Sequence, residues 1–145
     1  MQFITNVLNT KNMLNLNIIT SIPANLKIEE QELGASLEQY LHSLGVTKKV
    51  LIEIGFVRSD TIHKLNKQHR NIDKPTDVLS FPQADVPAGE VRFLGSIIIC
   101  PKIVRDKEEE MDDVIKHGLL HLLGFDHETD EQAWSKAARK INCQL

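Results

Sequence analysis

Residues 117–127, His-Gly-Leu-Leu-His-Leu-Leu-Gly-Phe-Asp-His, constrain this chain more than any other stretch. Three of its six histidines fall here. His117 and His121 are four apart, which on a helix stacks both rings on one face, a turn apart. Leu119, Leu120, Leu122 and Leu123 surround them, so the helix reads as apolar and buried. Gly124 is expected to stop the helix, being free to take a positive φ. The chain then turns back, and His127 reaches the face that His117 and His121 present. Three neutral imidazoles with one position left open are the ligand set of a catalytic zinc. A structural zinc normally takes four protein ligands, often cysteine, and no cysteine is nearby in sequence. A His-x-x-x-His pair alone on an apolar helix is more often packing than ligand. The third histidine after a helix-breaking glycine tips the balance to metal. The spacing is that of the metzincin zinc proteases, with Gly118 where they carry a glutamate.

A catalytic zinc acidifies water and polarises a carbonyl or phosphoryl oxygen. Proteases of this spacing use the adjacent glutamate to take the water proton, and Gly118 cannot. The base is then hydroxide at the metal, a substrate group such as a ribose 2′-OH, or a carboxylate elsewhere, with Asp126 and Asp77 as candidates. Asp126 reads better as a carboxylate orienting a metal-bound histidine. Asp77 reads equally well as a turn acceptor after Pro75. A glutamate at 118 is expected to leave folding intact, because glutamate is a good helix former.

The substrate side has its own clue. Lys64, Lys67, Arg70 and Lys74 fall between residues 63 and 74, with His63 and His69, against only Asp73. In a chain of net charge −3 this is a local basic strip rather than a bulk polyanion binder's surface. The lysines read as a solvated helix face. Arg70, at the expected helix end beside a Pro-Thr-Asp loop, reads as functional, since guanidinium suits bidentate phosphate contact. Glu108, Glu109 and Glu110 read as solvated charges, and Trp134 and Cys143 as packing residues. With one Trp and one Tyr, base stacking on an aromatic platform is not expected to dominate recognition.

The rest of the chain alternates strand and helix patterns within 145 residues, the size of one domain. Strands are expected over 14–22, 50–57, 78–81 and 94–100, with Pro82 ending the third and 83–93 a loop. Helices are expected over 28–44, from about 61 to 69 capped by Ser59 or Asp60, and from Pro101 to about 109. The histidine helix spans about 112–123, and a last helix capped by Thr129 or Asp130 ends near Ile141. This is an α+β chain with a mixed sheet of about four strands flanked by about five helices, the metal-binding helix near the C-terminus. Residues 1–12 read as a flexible tail and 13–145 as a single domain, with Met13 an alternative start. No stretch approaches the roughly 18 apolar residues of a membrane span, and no secretory signal is visible. Cys100 and Cys143 form no motif, so a reducing cytoplasm is the expected setting.

The residues also carry a family resemblance. The 117–127 stretch resembles the signature of the YbeY family of bacterial endoribonucleases associated with ribosomal RNA maturation. Asn66-Lys-Gln-His-Arg70 and Asp73-Lys-Pro-Thr-Asp-Val-Leu-Ser-Phe-Pro82 resemble a second block of that family, and Leu94-Gly-Ser-Ile-Ile-Ile a third. Together they span about residues 13 to 142. The resemblance implies a zincin-like fold over 13–145 and one zinc per chain on His117, His121 and His127. It also implies Arg70 acting on substrate beside the metal. The implied activity is zinc-dependent, single-strand-specific endoribonucleolysis in 16S 3′-end maturation and ribosome quality control. The implied setting is cytoplasmic, with an RNA substrate, ribosome-associated partners, no membrane and a monomeric chain. Other readings are a metal hydrolase of another bond, peptide or ester, and a ribosome-associated factor with a structural metal. Three positions depart from the family pattern: Ser96 for an aspartate, Asp113 for a histidine and Phe125 for a tyrosine.

Overall fold

The computed structural model describes residues 6–8, 16–21, 23, 25–88 and 91–145. These form β1 (Asn6–Leu8), β2 (Leu16–Ser21), α1 (Glu30–Ser43), β3 (Val50–Phe56), α2 (Ser59–Arg70), β4 (Val78–Ala88), β5 (Val91–Ile99), α3 (Pro101–Asp106), α4 (Met111–Leu122) and α5 (Glu131–Lys140). The sheet order is β1-β2-β3-β5-β4. Strands β2, β3 and β5 run parallel, and β1 and β4 close the edges antiparallel. The fold is the expected α+β one, but the described sheet has five strands rather than about four. The additional strand is β1, inside the segment read as a tail. Its neighbours 1–5 and 9–12 lie outside the described residues.

Strand alternation divides the core. Ile97 and Ile99 of β5, with Val50, Ile52 and Ile54 of β3, pack under Leu33, Leu37 and Leu41 of α1 and Val114, Ile115, Leu119 and Leu122 of α4. Ile98 and Cys100 point the other way, onto Ile62 of α2. Helix α5 covers the outside of α4, with Trp134, Ala137, Ala138 and Ile141 around Leu120.

Several boundaries differ from expectation. Pro82 does not end β4, which continues to Ala88 and pairs with β5. β4 is an edge strand, and its register shifts between Pro82 and Val86. Proline lacks a ladder donor and is tolerated at such edges and bulges. Ser59 and Asp60 lie inside α2, and Arg58 holds the cap position without a side-chain bond. Helix α3 stops at Asp106, and Glu108 takes a positive φ of 57°. The expected cap on α5 is present: Asp130 Oδ1 accepts from Ala133 N at 3.0 Å.

Gly118 is where α4 meets the sheet. A Cβ there would lie 2.7 Å from Ile97 Cγ2, in a buried helix–strand contact. The methyl branch of a β-branched residue cannot swing away, so the expected tolerance of glutamate at 118 fails on space, not helix propensity. Ser80 Oγ also donates to the Gly118 carbonyl at 3.3 Å, tying α4 to β4. Gly118→Ala is expected to cost about 1–3 kcal/mol, the usual penalty of overpacking, and Gly118→Glu more. Thermal unfolding followed by circular dichroism measures both; a wild-type melting temperature for Gly118→Glu would show that α4 does not seat as described.

Candidate metal centre

Helix α4 presents His117 and His121 from one face, with Nε2 atoms 3.2 Å apart. Gly124, at φ 92°, ends the helix as expected. The turn after it brings back His127, and the ring nitrogens of all three histidines lie within 4.8 Å of one another. Two nitrogens held at about 2.0–2.1 Å by a tetrahedral zinc sit roughly 3.3 Å apart. The His117–His121 pair already meets that spacing. His127 stands exposed on the turn beside them.

Burial sets the protonation of the two helix histidines. It pushes His117 down to about 4, helped by the neighbouring charges of His121 and His127. Burial also lowers His121, against the opposing pull of the Asp126 charge and the Phe125 backbone. Neutral imidazoles are what a metal requires. His117 Nδ1 is buried and has no hydrogen-bond partner. The donor set therefore fits a divalent cation with an affinity for nitrogen.

A cavity of about 730 Å³ opens on the three rings. It is lined by β4 from Val78 to Pro82, by His69 and Arg70 at the end of α2, and by Asp77, Glu109, Asp126 and Glu128. Arg70 is exposed and, among the described residues, makes no hydrogen bond or ion pair. Asp73 is taken instead by His63 at 2.7 Å and Lys67 at 3.6 Å. The loop from α2 to β4 is held by buried Asn66, whose Nδ2 donates to the Lys74 carbonyl at 2.9 Å. The structure thus gathers His117, His121, His127 and Arg70 around one cavity.

Other expectations are corrected. Asp126 makes no hydrogen bond to a histidine ring; its Oδ1 accepts from Glu128 N at 2.9 Å, closing the turn that returns His127. Asp77 is a turn acceptor, from Val78 N at 2.8 Å and Thr76 Oγ1 at 3.1 Å, and it also lines the cavity. Glu109 is not a solvated charge: its side chain is only 15% exposed and faces the same cavity. Trp134 packs as expected, yet its ring centroid also lies 5.0 Å from those of His117 and His121 and 5.1 Å from that of His127. Nothing in three successive glutamates, or in a lone Trp, marks these two residues in the sequence. Ser96 donates to Glu53 Oε1 at 2.8 Å across the β3–β5 ladder, so a carboxylate stands beside that position from the neighbouring strand. Asp113 Oδ1 accepts from Gln144 N at 3.1 Å, a tether for the last residues.

Fold and site together define an α+β, zincin-like protein with three histidines grouped so that they could hold a metal ion. The Endoribonuclease YbeY family matches residues 18–142, and this chain belongs to it. Endoribonuclease YbeY of Sulfurimonas denitrificans is 38% identical over 126 residues, 81% of each chain. That of Aliarcobacter butzleri is 49% identical over 87 residues, 54% of this chain and 61% of its own. The solution structure of a Thermotoga maritima protein superposes with a TM-score of 0.52 at 26% identity, covering 88% of this chain and 87% of that one.

The lowered His117 value has a consequence for stability. The folded chain keeps this imidazole neutral, whereas the unfolded chain protonates it below about 6.5. The contribution is therefore complete at pH 7 and is lost as pH falls from about 6.5 through about 4. The melting temperature of chelator-treated wild type is expected to fall across that window more steeply than that of His117→Gln. Parallel curves would show that His117 is not held neutral by the fold.

Proposed function

We propose that this protein is a zinc-dependent, single-strand-specific endoribonuclease acting in ribosomal RNA maturation, at the 16S 3′ end, and in ribosome quality control. The observation that carries the reading is the meeting of three imidazoles and an unpaired guanidinium around one cavity in a chain of the YbeY family. His117, His121 and His127 would hold the zinc, about one per chain. Bound there, the metal supplies Lewis acidity toward a phosphoryl oxygen and an acidified water. Arg70 binds the phosphate bidentately and stabilises the charge that builds on it during cleavage. His69, braced edge-on against Phe81 with centroids 5.0 Å apart, adds a second polar contact on the same wall. Strand β4 offers an open edge along which a single strand can lie. No helix among the described residues is long and apolar enough to cross a membrane. A cytoplasmic monomer meeting the ribosome and small-subunit factors fits this reading. Peptide hydrolysis is disfavoured because residue 118 has no room for a glutamate against Ile97.

Cleavage of single-stranded RNA, with and without chelator and beside a casein control, tests the reading. RNA cleavage that needs the metal is expected, with casein left intact. Zinc binding is expected to change the fluorescence of the single tryptophan, Trp134, which touches all three rings. His121→Ala is expected to lose zinc and cleavage together. Arg70→Lys keeps the charge but loses the planar fork, so cleavage is expected to fall with zinc content and melting temperature unchanged. The salt dependence of RNA binding becomes shallower as one phosphate contact is lost. Unaltered cleavage by Arg70→Lys, or cleavage lost only in step with stability, would reject its substrate role.

A further inference from the structure

Two carboxyl groups meet on the wall of the cavity. Asp77 opens β4, with its carbonyl accepting from Cys100 N at 2.8 Å. Glu109 lies in the turn between α3 and α4, with its N–H donating to the Val104 carbonyl at 3.1 Å. Both backbones are thus pinned, and both side chains are only 15% exposed. Lys107 Nζ sits 3.5 Å from Asp77 Oδ2 and 3.7 Å from Glu109 Oε1. One lysine faces two carboxyls, so one negative charge is matched and the second is not. Glu109 Oε2 is fully buried and receives no donor from the protein, and Lys107 holds the Asp77 and Glu109 carboxyl groups side by side. A buried carboxylate oxygen without a donor, beside a second carboxyl and only one lysine, is relieved by a proton held on the pair.

We propose that the Asp77–Glu109 pair holds one proton at neutral pH and delivers it to the leaving ribose oxygen during RNA cleavage, as the general acid of the site. This rests on the reading that the cavity cleaves RNA. The nucleophilic oxygen bonds to phosphorus and loses its proton to solvent. The bond from phosphorus to the leaving ribose oxygen breaks, with its electron pair on that oxygen. The pair protonates that oxygen, is left with both carboxylates ionised beside Lys107, and regains a proton from solvent. Burial, then the hydrogen bond and charge of Asp77, push Glu109 up to about 7 against the pull of Lys107. Burial also works to raise Asp77, but the hydrogen bond from Glu109, the Lys107 charge and the Thr76 and Val78 donors outweigh it and hold Asp77 below its ordinary range. One carboxyl protonated and one ionised near pH 7 is the division of labour that a like-charge pair enforces, and the pair titrates as a unit. Across the cavity the charged or titratable groups are His117 and His121 of α4, Arg70 and His69 of α2, and Asp126, His127 and Glu128 of the turn. Asp77 already acts on His117 through its charge.

An acid must be protonated to act, so this contribution to the rate is present below the upper midpoint of the pair and is lost as pH rises through it. The test is the pH profile of single-stranded RNA cleavage by zinc-loaded wild type, Glu109→Gln and Asp77→Asn. Melting temperature and zinc content are measured on the same preparations. ¹³C NMR follows the glutamate side-chain carboxyls of the metal-free wild type. We expect Glu109 to titrate near neutrality, well above the other glutamates, and to move down in Asp77→Asn. We expect Glu109→Gln to cleave about 10²–10⁴ times more slowly, the usual loss for a general acid, and to lose the alkaline fall-off of the wild type. Three results would overturn the proposal: a Glu109 that titrates as an ordinary glutamate, a Glu109→Gln variant with wild-type rate and profile, or a slower variant whose alkaline limb is unmoved. The last marks the pair as a structural clip. A wild type that binds zinc but cleaves no RNA at any pH rejects the RNA reading itself, and this inference with it.

Discussion

The contact of Gly118 with Ile97 governs the rest of the site. It lets α4 approach β5 closely enough for Leu119 and Leu122 to enter the sheet-side core while Leu120 packs under α5. With both faces buried, the rotation of α4 about its own axis is fixed by close packing. The remaining stripe carries His117 and His121 and opens on the cavity. A shift in that seat would carry both rings together away from the β4 and α2 walls of the cavity. The rule that places a small residue in this metal helix is therefore one of helix–sheet distance.

The same packing decides the chemistry of the rings. Burial disfavours the charged forms of His117 and His121, and the Trp134 ring lies against both. The cavity then separates its charges by wall. The α2 end contributes Arg70, with no carboxylate committed to it. The β4 start and the α3–α4 turn contribute Asp77 and Glu109, with Lys107 committed to them. An anionic substrate meets a free cation on one side and a proton donor on the other.

The metal helix, its stop at Gly124, the return of His127 and the cap at Asp130 were legible because each rests on local rules: periodicity, a positive φ, a side-chain acceptor. The exposed place of Arg70 on the cavity wall was legible from a helix end meeting a proline-containing loop. What was hidden depends on contacts distant in sequence. Pro82 reads as a strand end until β4 is known to lie at the sheet edge. Gly118 reads as a missing catalytic residue until Ile97, twenty-one positions earlier, is placed against it. Glu109 is indistinguishable from Glu108 and Glu110 in a run of like charges. A left-handed residue at 108 turns it inward, and Asp77 from another element waits there.

The absent glutamate of the protease pattern and the buried carboxyl pair are two sides of one geometry. In the protease arrangement the helix itself supplies the proton-transfer group, one residue after the first ligand. Here that position is given to the sheet contact, so proton transfer must come from a wall that the helix faces. The only carboxyls that combine burial, cavity exposure and a shared proton among the described residues are Asp77 and Glu109. The role proposed for that pair is to protonate a departing oxygen rather than to deprotonate an attacking one. A phosphodiester has such a departing oxygen flanked by charge that Arg70 can balance, which is how a protease-like ligand set comes to serve RNA.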